Sequence, residues 1–181
     1  VIRMVTSLAR LFRISISKGR DTITIAEELE HVRNYLIIQQ IRYQDKFVFS
    51  IEIEEGTEDL ATLKLIVQPI VENAIYHGIK YLQELGRITI KVYRKKPHAV
   101  VIEIRDNGVG MDEQTLEQIL DFTASHGSKI GYGVRNVHQR IQLHWGSDYG
   151  LEISSELDEG TLVRLIIPEQ ELNQSPQGGQ Q

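Results

Sequence analysis

The sequence predicts a two-layer α/β sandwich, a mixed β-sheet with helices on one face. Three observations carry that expectation. Stretches with apolar residues at every second position recur at 47–53, 86–94, 99–105, 151–155 and 161–167, the pattern of half-buried strands. Other stretches carry apolar residues at spacings of three and four, the pattern of helices that bury one side. Strands and helices are interspersed along the chain, which suits one sheet covered by helices better than a bundle or a sandwich of two sheets.

The earliest elements are helical. Val1, Met4, Val5, Leu8, Leu11 and Phe12 form the seam of a helix to about residue 18 that packs against another helix. Lys18-Gly19-Arg20-Asp21 reads as its stop, and Thr24-Ile25-Ala26-Glu27 as a capping box that opens a second helix to about Asp45. Ile25, Leu29, Val32 and Leu36 continue the stripe, and Ile37, Ile38 and Ile41 add a second buried side, as in a connector between a stem and a globular body. Phe47 to Ile53 is a strand and Glu54 to Asp59 an acidic loop. A helix is expected from Leu60 to Ile79, with Pro69 as a local kink. Gly86–Arg94 and Ala99–Arg105 form a hairpin across the solvated turn Lys95-Lys96-Pro97-His98. Helices are expected from Asp112 to Asp121 and after Gly133, and a second hairpin closes on Asp158-Glu159-Gly160. The resulting division is stem and connector over 1–45, a body over 46–168, and a disordered Gln-, Gly- and Pro-rich tail over 169–181.

Composition narrows the function classes. With 181 residues and 41% hydrophobic content the chain can bury a core. No apolar run approaches the ~20 residues that cross a bilayer. The chain opens on Val1, without a signal peptide, and reads as a fragment of a longer protein. A net charge of −5 gives no electrostatic case for nucleic acid as a partner. The absence of cysteine excludes a disulfide scaffold and thiolate metal sites, and the six histidines show no zinc spacing.

The chemistry is concentrated in four segments. On the helix expected from residue 60, Leu63, Ile66, Val67, Ile70, Val71, Ala74 and Ile75 fall on one arc, with Glu72, Asn73 and Tyr76 opposite. Taken alone, Glu72-Asn73 is the wet side of an amphipathic helix. Asp106-Asn107-Gly108-Val109-Gly110 follows a strand, and taken alone is a tight turn. It is not an EF-hand, which needs oxygens where Gly108 and Gly110 stand, nor a dinucleotide fingerprint, which needs a third glycine at Glu113. No G-x-x-x-x-G-K-[ST] exists, which excludes a P-loop. Gly131-Tyr132-Gly133 leads into a helix whose first amides can hold an anion, and Gly160-Thr161 opens the last strand.

In that order and spacing the four segments resemble the N, G1, G2 and G3 boxes of the GHKL nucleotide-binding superfamily. The wording of Pro69 to Gly78 (P-I-V-E-N-A-I-Y-H-G) and Gly131 to Arg140 (G-Y-G-V-R-N-V-H-Q-R) is most similar to two-component sensor histidine kinases of the LytS-like branch, and Glu27 to Arg42 resembles the connector of that branch. The resemblance covers about 47 to 168 and implies the Bergerat fold, ATP and Mg²⁺ as ligands, and transfer of the γ-phosphoryl group to a histidine on an upstream stem and then to a response regulator. It also implies a homodimeric full-length protein, with this part cytoplasmic and the parent anchored in the plasma membrane.

Carried over by residue, the resemblance makes Asp106 the acceptor of the adenine amino group, since a carboxylate only accepts and so rejects guanine's carbonyl. Thr161 supports it. Gly108 and Gly110 let the backbone pass under the base. Asn73 supplies an oxygen to Mg²⁺. Glu72 assists the attacking imidazole as a general base. Gly131, Gly133 and Asn136 bound the phosphates, and Thr123 to Ile130 form a lid.

Two departures stand out. The family commonly has Lys where Tyr76 stands, leaving Lys80, Lys129 or a stacked His77 to serve in its place. The family's P-H-F-x-F-N-like phosphoacceptor motif is absent from these residues, and His31 reads as a packed or solvated helix residue rather than its replacement. His126 and His138 are expected on the lid and the surface. Alternatives are a GHKL-type ATPase or protein-serine kinase, and a non-catalytic nucleotide-sensing module.

Overall fold

The computed structural model describes Met4, Thr6, Ser7, 21–121 and 131–172. The expected stem helix, the segment 123–130 with His126 and Lys129, and the tail from 173 lie outside these residues, save Met4, Thr6 and Ser7.

The elements are β1 (Thr22–Thr24), α1 (Ile25–Arg42), β2 (Phe47–Ile53), β3 (Ala61–Leu63), α2 (Gln68–Asn73), β4 (Gly86–Lys95), β5 (Ala99–Asp106), α3 (Glu113–Leu120), α4 (Tyr132–Trp145), β6 (Gly150–Glu156) and β7 (Gly160–Pro168). The main sheet has the order β2-β4-β5-β7-β6, with β2 parallel to β4 and the remaining pairs antiparallel. It is the mixed sheet the sequence predicts. Its inner face supplies Phe47, Ile88, Ile90, Ile102, Ile104 and Leu165, all under 2% exposed, to a core completed by helix residues such as Leu36, Ile75 and Ile141. Truncating one of these to Ala would cost roughly 2–5 kcal/mol. The outer face is charged: Glu52, Lys91, Glu103, Arg164 and Glu152 occupy one row across all the strands, alternating in sign. Lys91–Glu52 at 3.0 Å is exposed enough that it keeps this face solvated more than it stabilises it, while Arg164–Glu103 at 2.9 Å is partly covered on the glutamate side. Helices therefore cover one face.

The capping box at α1 is present, with Thr24 accepting from the Glu27 amide and Glu27 reaching back to the Thr24 amide. The helix stops at Arg42, short of the expected Asp45, because Gln44 and Asp45 both take positive φ. Ile25, Leu29, Val32 and Leu36 enter the same core as the sheet.

The helix expected from Leu60 is the main correction. Ala61–Leu63 instead pairs as β3 with β1, and Leu65 takes a φ of 60°. The helix begins only at Gln68, where Pro69 sits in its first turn and its missing N–H costs nothing, so Pro69 starts the helix and does not kink it. Beyond Asn73 the chain widens into a π-helical turn, Ala74–Gly78, and tightens into a 3₁₀ turn, Ile79–Tyr81. A second correction concerns 169–171, expected in the disordered tail. The Glu169 amide donates to His98, Gln170 accepts from the Ala61 amide, Glu171 bridges Leu60, and Arg94 Nε meets Glu169 at 2.7 Å.

Candidate nucleotide site

A cavity of about 530 Å³ opens between the inner face of β5, β6 and β7 and the helices α2, α3 and α4. Its middle is apolar, walled by Ile104, Val163 and Ile153 from the sheet and by Met111, Ile119 and Val134 opposite. Polar groups gather at its two ends.

At one end lies Asp106, 6% exposed, at the end of β5. Its carboxylate accepts the Gly108 amide at 2.8 Å and the Thr161 amide, and burial outweighs both to push its carboxyl up to about 6. Register places Asp106, Thr161 and Ser155 in one row across β5, β7 and β6. The glycines that follow are required by the fold itself. A Cβ at Gly108 would overlap the Gly78 backbone, and one at Gly110, where φ is 64°, would overlap the Glu156 carbonyl. The bend is thus wedged between the end of the π-helical turn and the β6–β7 hairpin, fixed further by Asp158 N–H to Val109 at 2.8 Å. The protein's own backbone already demands these glycines; Gly110 lines the cavity and Gly108 does not.

At the other end Asn73 faces the start of α4, while His77 lines the cavity next to Gly78, where a Cβ would stand 3.0 Å from Asp106 Oδ1. Gly131 caps that helix in the left-handed region with φ 71° and offers no side-chain cap, and Gly131, Tyr132 and Gly133 all line the cavity. A Cβ at Gly133 would stand 3.9 Å from Asn73 Nδ2, so the carboxamide lies beside the first turn of a 14-residue helix whose amides are directed to the cavity end.

Of the predicted site residues, Asn73, His77, Asp106, Gly110, Gly131, Gly133 and Thr161 therefore converge on one cavity. Asn136 does not; it is exposed on α4 away from the lining. Glu72 does not either. The polar side of α2 is split between two partners: Asn73 and His77 turn to the cavity, while Gln68, Glu72 and Tyr76 turn to α1. Gln68 Nε2 donates to Glu72 Oε1 at 2.8 Å, which orients the amide so that its Oε1 accepts from His31 Nε2 at 2.5 Å. His31 is 1% exposed, a packed residue and not an accessible phosphoacceptor. Tyr76 accepts from Arg42 at 3.3 Å and packs edge-on against Tyr43, and it stands with Glu72 beside Tyr35, whose hydroxyl burial and the Glu72 charge push well above the ordinary range. The position where a lysine was expected thus belongs to the α1 contact. Lys80 lies outside the cavity, with its ammonium over the Tyr81 ring.

Three groups escaped the sequence reading. Glu28, fully buried on α1, accepts the amides of Leu65, Ile66 and Val67 at 2.9, 3.0 and 2.9 Å. Its signal was available, as it sits three residues after Ile25 and four before Val32 on the buried stripe. Arg140, the last residue of the G2-like motif, donates to the carbonyls of Lys64 and Leu65 at 2.8 and 3.2 Å. His138, expected on the surface, is half-buried and accepts the Leu151 amide at 3.0 Å, and burial lowers its pKa.

The sheet order, the cavity between sheet and helices, and the placement of the glycine bends define a nucleotide-binding ATPase fold. The chain belongs to the histidine kinase-, DNA gyrase B- and HSP90-like ATPase family, whose model matches residues 58–171, and a histidine kinase model matches residues 1–47. Among relatives, the sensor histidine kinase YesM of Bacillus subtilis is 36% identical over 168 residues, 93% of this chain and 28% of that protein. The sensor protein LytS of Bacillus cereus is 30% identical over 92% of this chain and 28% of its own length, in keeping with the LytS-like wording of the motifs. The chain thus spans a little over a quarter of the relatives it matches. Among solved structures, the mycobacterial sensor histidine kinase MprB superposes with a TM-score of 0.58 at 15% identity, covering 83% of this chain and 98% of that one. The catalytic domain of histidine kinase ThkA gives 0.58 at 17%, covering 83% and 97%. These two show the fold.

Proposed function

We propose that this chain is the ATP- and Mg²⁺-binding catalytic part of a sensor histidine kinase, which passes the γ-phosphoryl group of ATP to a histidine outside these residues, from which a response regulator takes it. One observation supports the reading above others: an acceptor-bearing apolar slot and an uncapped helix start are the two ends of a single cavity, with the Asn73 carboxamide beside the second. A flat base fits the slot between Ile104, Val163 and Met111, with its amino group toward Asp106 and Thr161. Phosphates fit the α4 amides at Gly131 to Val134.

Among the described residues no group of three or more His, Cys, Asp or Glu could hold a metal alone. Asn73 would therefore contribute one oxygen to Mg²⁺, the remainder coming from phosphate and water. Bound there, the ion supplies charge neutralisation for phosphoryl transfer. In the transfer an imidazole nitrogen forms a bond to the γ-phosphorus as the bond from that phosphorus to the β–γ bridging oxygen breaks. ADP leaves, and the imidazole proton passes to a base. Glu72 takes this role if the acceptor arrives on the α1 side of α2, where its carboxylate lies. The acceptor stem and a dimeric parent complete the reading, with this part on the cytoplasmic side of a membrane-anchored protein. No helix among the described residues is long and apolar enough to span a membrane.

Calorimetric titration with ATP, with and without Mg²⁺, tests the nucleotide site. Asn73→Ala should abolish the Mg²⁺-dependent part of the affinity and leave the metal-free part unchanged. Phosphorylation of the full-length protein that is acid-labile, as phosphohistidine is, supports the kinase reading; an acid-stable phosphoprotein or free phosphate alone overturns it.

A further inference from the structure

The row Asp106–Thr161–Ser155 carries more than an adenine-facing carboxylate. Ser155 Oγ lies 2.8 Å from the Gly160 carbonyl oxygen and 2.9 Å from Thr161 Oγ1. A carbonyl only accepts, and serine has one hydroxyl proton, so that proton belongs to the contact with Gly160. The contact between the two hydroxyls then needs its proton from Thr161. Thr161, a residue of the cavity lining, has then spent its only side-chain donor on Ser155, and its hydroxyl keeps lone pairs alone for any further partner. Its neighbour in the row, Asp106, is likewise an acceptor once ionised.

From this we infer that Ser155 is a positioning residue for base selection: by taking the Thr161 proton it makes this end of the cavity acceptor-only, matched to a base with an exocyclic amino group and mismatched to one with a carbonyl at the same place. The assignment rests on the proposed nucleotide site and adds a determinant that never touches the base. The arrangement is fixed by backbone. Gly160, whose φ is 108°, packs against the Asp106 carbonyl, where any Cβ would overlap it, and this holds its own carbonyl beside Ser155. Without Ser155 the Thr161 hydroxyl is free to rotate and donate, and a 6-oxo purine regains a partner.

The probes are ATP and ITP, which differ at the base in a 6-amino group beside an acceptor N1 against a 6-oxo group beside an N1–H donor, titrated calorimetrically into this chain. Wild type should prefer ATP. Ser155→Ala should lower the ATP:ITP affinity ratio about tenfold, the scale of one hydrogen bond turned from mismatch to match, mainly by tightening ITP. Ser155→Thr, which keeps the hydroxyl on a strand position suited to it, should restore the wild-type ratio. A purely structural role for Ser155 would weaken both nucleotides alike and leave the ratio unmoved. Retained ATP binding with an unchanged ratio in Ser155→Ala, or a Ser155→Thr ratio equal to that of Ser155→Ala, overturns the assignment alone. A wild-type chain that binds neither nucleotide overturns the nucleotide-site reading, and this assignment with it.

Discussion

Glu28 and Arg140 grip the same bend of chain with opposite polarity: the buried carboxylate takes the amides of Leu65, Ile66 and Val67, while the guanidinium gives to the carbonyls of Lys64 and Leu65. The bend leads directly into α2, so one residue from α1 and one from α4 fix where Asn73 emerges. Burial drives the Glu28 carboxyl up and the three amides pull it back, leaving a net rise.

Removing Glu28 strands buried donors. Glu28→Ala should destabilise the chain by on the order of 3 kcal/mol or more, and Glu28→Gln, which keeps one accepting oxygen, by less. Arg140→Ala should cost about 1–3 kcal/mol, and the double variant less than the sum, because both side chains restrain one bend. Urea unfolding of the two single variants and the double variant measures the coupling; strict additivity would show that they act independently.

Asp106 predicts opposite pH responses for stability and for binding. Its folded pKa, about 6, lies above the ordinary 3.8, so the empty native chain holds this proton more tightly than the unfolded chain does. Stability from this group is fully present below about 3.8 and is lost as pH rises through about 6; the two-unit gap corresponds to on the order of 3 kcal/mol. Asp106→Asn should therefore be more stable than wild type at pH 7.5, with the difference gone at pH 4. In the proposed site the adenine amino group needs the ionised form of Asp106, and on that proposal wild-type ATP affinity should be level above pH 7 and fall toward tenfold per unit below about 6. Asp106→Asn should lose ATP affinity about tenfold or more, without that pH dependence. Calorimetry across pH 5–8 checks both.

The glycine at 110 separates two explanations of the Asp-x-Gly-x-Gly bend. If the glycines made room for a base, Gly110→Ala would weaken ATP and spare the fold. The φ of 64° and the overlap with the Glu156 carbonyl predict a loss in the fold itself. Gly110→Ala should cost at least about 2 kcal/mol, a fall in Tm of roughly 5 °C or more in the empty chain. A Tm equal to wild type would return the glycine to the ligand.

What was legible in the sequence follows from how local each cause is. The five strands of the main sheet declare themselves by alternation, and α1 by Thr24 and Glu27, because each signal lies within its own element. The pairing of β1 with β3 is not local. Ala61–Leu63 carries an apolar pattern that also suits a helix, and only its partner Thr22–Thr24 and the Glu28 carboxylate, 37 to 39 residues away from the amides it holds, decide the matter. The site shows the same division. Asn73, Asp106, Gly131 and Thr161 could be gathered only because their motifs occur in one order, whereas the displacement of Glu72 toward α1 depends on Gln68 and His31, which no motif joins.

That displacement predicts a separation between binding and transfer. Gln68 fixes one oxygen of Glu72, His31 fixes Gln68, and none of the three lines the cavity. If Glu72 is the proposed proton acceptor, Gln68→Ala should leave ATP affinity within about twofold of wild type while slowing phosphoryl transfer in the full-length protein about tenfold or more, because the group loses its alignment. Gln68→Glu keeps the length but sets a second carboxylate against Glu72, and should raise the apparent pKa in the pH profile of transfer rather than merely lower its plateau. His31→Ala should give a weaker version of the Gln68→Ala effect, since Gln68 keeps its bond to Glu72. If Gln68→Ala weakens ATP as much as Asn73→Ala does, the α1-facing side of this helix contributes to holding nucleotide and the separation fails.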